Sequence, residues 1–171
     1  MKTLIITIGL TLMSSVLFAQ SKEEAMEKTS WLKFGADVGV PVGKASNYSS
    51  FVAGLELKGQ LMEAEHVGLG LTAGYENYFA KSGFRNVGIV PLGGFVRLYP
   101  ERTGFFAGLD AGYGIITVAN AGGGLFLKPQ LGYHNYNWNV FAYYDNVFRN
   151  TSDGGGIGNV GLGATYNIRF K

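Results

Sequence analysis

The sequence contains no cysteine, which excludes disulfide scaffolds, zinc-thiolate sites and cysteine nucleophiles. Charge is also scarce, because Asp, Glu, Lys and Arg make up 15% of the 171 residues and the formal net charge is +2. So small a net charge, with the basic residues spread along the chain, argues against a nucleic-acid-binding surface. Beyond the N-terminal segment, no stretch approaches the roughly 20 apolar residues that a membrane-spanning helix requires.

Glycine and aromatic residues are abundant instead. The chain has 27 glycines and 14% aromatics, an unusual mixture for a soluble domain with so little charge. Its length suits one domain and is short for two. The composition therefore indicates a single fold that buries an apolar surface in something other than a conventional core.

The N-terminal segment has the pattern of a cleaved export signal. Lys2 supplies a positive start, Leu4 to Met13 are largely apolar, and Ser14 to Ala19 lead to a cut before Gln20. Leu17 is larger than cleavage signals prefer, which leaves an uncleaved anchor as the alternative. We expect a signal peptide at 1–19 and a short polar periplasmic leader at 20–29.

From residue 30 to residue 171 the apolar residues alternate with polar or small ones, which is the strand pattern. The last segment is the clearest, and similar segments lie at 33–40, 51–61, 67–78, 87–99, 105–114, 125–133 and 138–145. Short linkers alternate with mostly longer ones rich in Gly, Asn and Ser, as in outer-membrane barrels with short periplasmic turns. The sequence predicts an all-β, eight-stranded antiparallel up-and-down transmembrane β-barrel, with both termini in the periplasm.

The two faces of the strands indicate which side meets lipid. Eleven glycines and the charges share one face, as expected for the crowded interior of an eight-stranded barrel. On the apolar face, aromatics lie near the strand ends and aliphatic residues fill the middle, which is typical of two interfacial girdles. A soluble lipocalin-like carrier is the alternative, and it would need the apolar face inside.

The inward charges are chemically the most informative set. We expect them to form a network of ion pairs that closes the lumen, since unpaired buried charges cost several kcal/mol each. The alternative is that some of them lie near the rims and are solvated. The candidate lumen network is Lys33, Asp37, Glu56, Lys58, Glu76, Arg97, Asp110, Lys128, Asp145 and Arg169.

Catalysis is not expected. The chain has two histidines, His66 and His134, and both fall at the predicted periplasmic turns. A histidine base at the outer rim, where barrel enzymes act on their substrates, is therefore missing, and an acid-only site is the remaining alternative. We expect no enzymatic activity, no cofactor and no metal site.

The C-terminal segment is the most specific motif. It runs Gly163-Ala164-Thr165-Tyr166-Asn167-Ile168-Arg169-Phe170, and within it Gly163, Tyr166, Ile168 and Phe170 form the candidate assembly signal. The chain resembles the small OmpA-like and OmpX-like outer-membrane barrels, especially barrel-only proteins of the Bacteroidetes type, whose signals often end as Phe18-Ala19-Gln20 does. Lys171 departs from the family pattern, because an aromatic residue is commonly last.

The resemblance covers residues 30–171 and implies an integral outer-membrane protein without a wall-binding domain. It implies that the partners are outer-membrane lipid, including lipopolysaccharide, and the barrel assembly machinery, with no nucleic acid and no identified surface ligand. The expected role is structural or surface contact. A narrow passive pore and a soluble lipocalin-like carrier remain as alternatives.

Overall fold

The computed structural model describes residues 32–64, 66–118, 121–150 and 155–168. Within these ranges the chain forms eight strands and one short 3-10 helix at Gly43–Asn47. The expected signal peptide and leader, Arg169 and Phe170 lie outside the described residues. The strands are β1 (Leu32–Val42), β2 (Ser49–Ala64), β3 (Val67–Ala80), β4 (Val87–Leu98), β5 (Gly104–Ile116), β6 (Gly123–His134), β7 (Trp138–Phe148) and β8 (Ile157–Ile168).

Each strand pairs antiparallel with its neighbours in sequence, and β1 pairs with β8 to close the barrel. The expected eight-stranded up-and-down fold is thereby confirmed. Three tight turns, at 65–66, 99–103 and 135–137, join strands at one end of the barrel, which we call the turn end. The connections at 43–48, 81–86, 117–122 and 149–156 lie at the opposite end, which we call the loop end.

Several strands extend beyond the boundaries that the alternation predicts. At the loop end β3 continues to Ala80 and β7 to Phe148, and at the turn end β2 continues to Ala64. Near the loop end both faces are apolar: Tyr78 and Val147 point inward and are buried, whereas the neighbouring Phe148 is exposed. The period-two signal is lost there because the interior has become apolar, although the strand continues.

Two prolines interrupt the ladder of backbone hydrogen bonds. The β3·β4 pairing stops at Ala73 opposite Leu92 and resumes at Glu76 opposite Ile89. The β6·β7 pairing stops at Leu127 opposite Asn146 and resumes at Gln130 opposite Tyr143. The gaps contain Pro91 and Pro129, whose nitrogens have no hydrogen to donate, and a closed barrel has no edge strand on which to place them.

Candidate functional site

The barrel has the reverse of the usual distribution of apolar and charged side chains. Large apolar side chains cover its outer wall, and Phe105, Leu131 and Leu162 are 74%, 64% and 62% exposed. Charged side chains occupy the interior, where Lys58, Arg97 and Asp110 are at most 1% exposed. In proteins with a dry core, Lys, Glu, Arg and Asp are almost never fully buried unless they are paired.

Nine of the ten charges in the candidate lumen network lie in the part of the chain that the structure describes, and all nine are buried. The tenth, Arg169, lies outside it. Seven of them form one group in the middle of the barrel, which we call the ionic layer. The ionic layer consists of Asp37, Glu56, Lys58, Glu76, Asp110, Lys128 and Asp145.

Lys128 is the centre of the ionic layer. Its Nζ lies 3.0 Å from Asp37 Oδ2 and 3.0 Å from Glu76 Oε1. A third carboxylate, that of Glu56, approaches to 3.7 Å through Oε2. The Tyr143 hydroxyl donates to Asp37 Oδ1 at 3.1 Å, and the side chain of Asp145 lies against Glu76. One ammonium group therefore joins carboxylates from three different strands.

Lys58 connects the second half of the layer. Its Nζ lies 2.7 Å from Asp110 Oδ2 and 3.1 Å from Glu56 Oε1. Gln130 then bridges to Arg97, because its Nε2 donates to Asp110 Oδ2 at 2.9 Å and its Oε1 accepts from Arg97 Nη2 at 2.7 Å. The pairing thus continues from Lys128 to Arg97 without interruption.

Lys33 and Arg97 also contact uncharged side chains. Lys33 Nζ donates to Asn167 Oδ1 at 3.1 Å, at the turn end. The guanidinium carbon of Arg97 lies 4.8 Å from the centre of the Phe106 ring and 5.5 Å from that of Phe141. Aromatic faces attract a desolvated guanidinium, so these cation–π contacts help to stabilise the buried charge of Arg97.

Apolar residues close the loop end of the lumen, which the sequence reasoning missed. We call this group the apolar layer, and Asn159 links it to the ionic layer by donating to Tyr78 Oη at 2.8 Å and to Glu76 Oε2 at 3.3 Å. The only available signal was the loss of alternation near the strand ends. The apolar layer consists of Ala45, Val52, Tyr78, Ile89, Ile116, Phe126 and Val147.

Inward glycines make room for these side chains. A Cβ placed on Gly54 would lie 2.7 Å from Asp37 Oδ1, and one on Gly163 would lie 2.6 Å from the Phe141 ring. A Cβ atom essentially never lies this close to another heavy atom, so a larger residue would displace the packed interior. The glycines of the polar face thus leave the space that the long charged and aromatic side chains of the lumen occupy.

The interior leaves little free space around the ionic layer. A cavity of about 10 Å³ lies beside Asp37, Glu76, Pro91, Asp110 and Lys128. This is about the volume that one water molecule needs.

Among the described residues, no group of His, Asp and Glu has an arrangement that could hold a metal ion. No helix in those ranges is long and apolar enough to cross a membrane.

The two histidines lie at the turn end, with one correction to their expected positions. His66 is in a turn, and its Nδ1 lies 3.1 Å from the Tyr99 carbonyl oxygen. His134 is the last residue of β6 rather than part of a turn, and its buried ring lies 3.1 Å from the Glu101 carbonyl oxygen through Nε2. The strand continues to His134 because its backbone still pairs with Gly104 and Asn139.

The candidate assembly signal is described as far as Ile168. Tyr166 points outward and packs against Trp138 with ring centres 5.0 Å apart. Gly163 faces the lumen, and Ile168 pairs with Leu32 of β1. The C-terminal strand is therefore the strand that closes the barrel.

No protein-family model matches the sequence, and a comparison with curated proteins returns no match.

Proposed function

We propose that this chain is an integral β-barrel of the bacterial outer membrane, with a non-enzymatic structural or surface-contact role and a lumen closed to ions. The observation that supports this most is the reversed distribution of apolar and charged residues. Burying a Leu or Phe side chain is worth about 1.5 to 3 kcal/mol, and the exposed ones surround the whole barrel. Lipid is the environment in which such a wall is stable.

Strand length and the aromatic girdles support the same placement. The shortest strands, β1 and β7, have 11 residues each. About 9 to 11 residues suffice to cross a bilayer at a tilt. Outward aromatics cluster at both ends, with Phe34 and Trp138 near the turn end and Tyr75 and Tyr113 near the loop end. Trp and Tyr favour the lipid interfaces, where the ring meets lipid and the polar tip meets headgroups.

We further propose that the protein belongs with the small OmpA-like and OmpX-like barrels and has its turn end in the periplasm. The three tight turns and the sequence pattern of the C-terminal segment support this orientation. A catalytic role is not part of the proposal, since His66 and His134 are both at the turn end and engage backbone carbonyl oxygens.

Membrane fractionation tests the location. We expect the full chain to co-purify with the outer membrane and to migrate faster on a gel before heating than after heating. Recovery in the periplasmic supernatant would instead favour a soluble carrier.

Conductance separates the closed barrel from a narrow pore. The apolar and ionic layers fill the lumen from the loop end to the middle, so we expect no steady large conductance in planar bilayers. A stable open channel formed by the purified wild-type protein would contradict the closed lumen.

The assembly signal has its own test. The alternation predicts that Phe170 is the last member of an outward row that begins at Val160, and we expect Phe170→Asp to reduce outer-membrane levels severalfold. Deletion of Lys171 is the matched control and should change them little. Equal levels of the two variants, measured by quantitative blotting of outer-membrane fractions, would remove the proposed role of Phe170.

A further inference from the structure

The two ends of the barrel differ in charge. In the sequence, the four connections at the loop end contain Lys44, Lys81, Arg85 and Arg149 against one acid, Asp153, which lies outside the described residues. The turn segments have the opposite balance, with Glu65 and Glu101 against Arg102. Among the described residues, no carboxylate pairs with any of the four basic side chains of the loop end. The described part of the loop end therefore offers positive charge that no described carboxylate neutralises.

Part of this charge is arranged around two exposed aromatic rings. Tyr48 and Phe84 are each 53% exposed and pack edge to face with ring centres 5.1 Å apart. The Lys81 backbone N–H donates to the Tyr48 carbonyl at 2.9 Å, and Lys81 Nζ donates to the Ser46 carbonyl at 2.7 Å. We call Tyr48, Lys81, Phe84 and Arg85 the rim patch.

The loop that provides most of the rim patch is compact. The Phe84 N–H donates to the Lys81 carbonyl at 3.1 Å, and the Ala80 N–H donates to Asn86 Oδ1 at 2.9 Å. Because these bonds join both sides of the loop, Lys81 and Arg85 are held on the same short turn. The Lys81 ammonium group uses one of its three hydrogens on Ser46 and keeps two for a ligand.

The rim patch continues onto the outer wall. Phe51 of β2 and Phe79 of β3 stack directly below it, with ring centres 4.2 Å apart and planes 7° from parallel. Phe51 is 46% exposed on the apolar face of the barrel. Basic side chains at the rim thus lie above a flat aromatic surface that faces lipid, which suits a molecule with an anionic head and hydrocarbon chains.

We propose that the rim patch binds the phosphorylated glycolipid of the outer leaflet, with a phosphate held by Lys81 and Arg85 and the acyl chains lying along Phe51 and Phe79. Arginine engages phosphate oxygens through two parallel hydrogen bonds, and lysine adds a point charge. Tyr48 and Phe84 would lie at headgroup level, which is the depth that aromatic rings prefer. This inference rests on the proposed outer-membrane location.

Lipid retention by the purified barrel in nanodiscs tests the proposal. Bisphosphorylated lipid A is the probe, dephosphorylated lipid A is the comparison lipid, and native mass spectrometry counts the retained molecules. We expect the double variant Lys81→Ala/Arg85→Ala to weaken retention of the phosphorylated probe by about thirtyfold, since each basic side chain near an anionic surface contributes a factor of about five. Dephosphorylated lipid A should be retained poorly by the wild type and by the variant.

Arg102→Ala, at the opposite end, is the matched control and should retain the probe like the wild type. Equal retention by the double variant and the wild type, or an equal loss in Arg102→Ala, would overturn the proposal. Displacement of the probe by millimolar inorganic phosphate would also overturn it, because it would indicate a site for a soluble anion. Heat-dependent gel mobility shows that each variant is folded, and a barrel found in the outer membrane without lipid selectivity would refute this inference alone.

Discussion

The ionic layer and the apolar layer fill the same lumen by different means. In the middle of the barrel, Lys128 and Lys58 hold carboxylates at 2.7 to 3.1 Å. At the loop end, Val52, Ile89 and Phe126 pack with no charge among them. Ion pairs in a dry interior need accurate geometry, because losing one partner leaves the other charge unpaired. Apolar packing instead loses free energy in proportion to the volume that is removed.

The largest effect is expected from breaking the ionic layer at its centre. Lys128→Met would leave Asp37 and Glu76 without their shared cation, and we expect a loss of about 3 to 5 kcal/mol in the free energy of unfolding. Urea unfolding from lipid vesicles, followed by tryptophan fluorescence, measures this loss. Lys128→Arg keeps the charge and should lose much less. A Lys128→Met protein as stable as the wild type would show that the layer does not depend on pairing.

The apolar layer should lose less stability when its phenylalanine ring is removed. Phe126→Ala is expected to cost about 3 kcal/mol, because the side chain is 1% exposed and its removal leaves a cavity. Leu125→Ala is the control on the neighbouring residue, which faces outward and is 54% exposed. The same unfolding measurement compares them, and equal losses would mean that the loop end of the lumen is not tightly packed.

The smallest effect is expected where the two layers meet. Tyr78→Phe removes the hydroxyl that accepts from Asn159 and leaves the ring in place, so we expect a loss of about 1 kcal/mol. Tyr144→Phe, on the outward face, should change stability less. If Tyr78→Phe were to cost as much as Lys128→Met, the hydroxyl would belong to the ionic layer rather than to its boundary.

The sequence predicts which side chains face the lumen, but it does not predict which of them are in contact. Alternation is enough to place Lys128 and Asp37 on the inward face, because adjacent residues in a strand point to opposite sides. Their contact could not be predicted, since they are 91 positions apart and meet only through the tilt and register of the barrel. The same holds for Arg97, whose aromatic neighbours come from other positions of β4 and from β5 and β7.

The apolar layer also could not be predicted from the sequence. Ile89 and Val147 are apolar and lie in strand segments where the outward neighbours are apolar too, so no periodic signal separates the faces. In this barrel, alternation identifies the inward residues only where they are polar, because the outward residues are apolar. Phe106 and Phe95 are inward for the same reason as Arg97, yet only the packed structure shows that their rings surround it.

The closing pairing between β1 and β8 has a consequence for the order of folding. Its register is unbroken from Leu32 opposite Ile168 to Val42 opposite Gly158, whereas Pro91 and Pro129 interrupt two other pairings. Seven of the eight pairings join strands adjacent in sequence, and such local hairpins form quickly. The pairing of β1 with β8 has the largest loop-closure entropy to overcome, and we therefore expect it to form last. Eleven consecutive residue pairs, Pro41 opposite Asn159 among them, then hold the first and last strands of the closed barrel together.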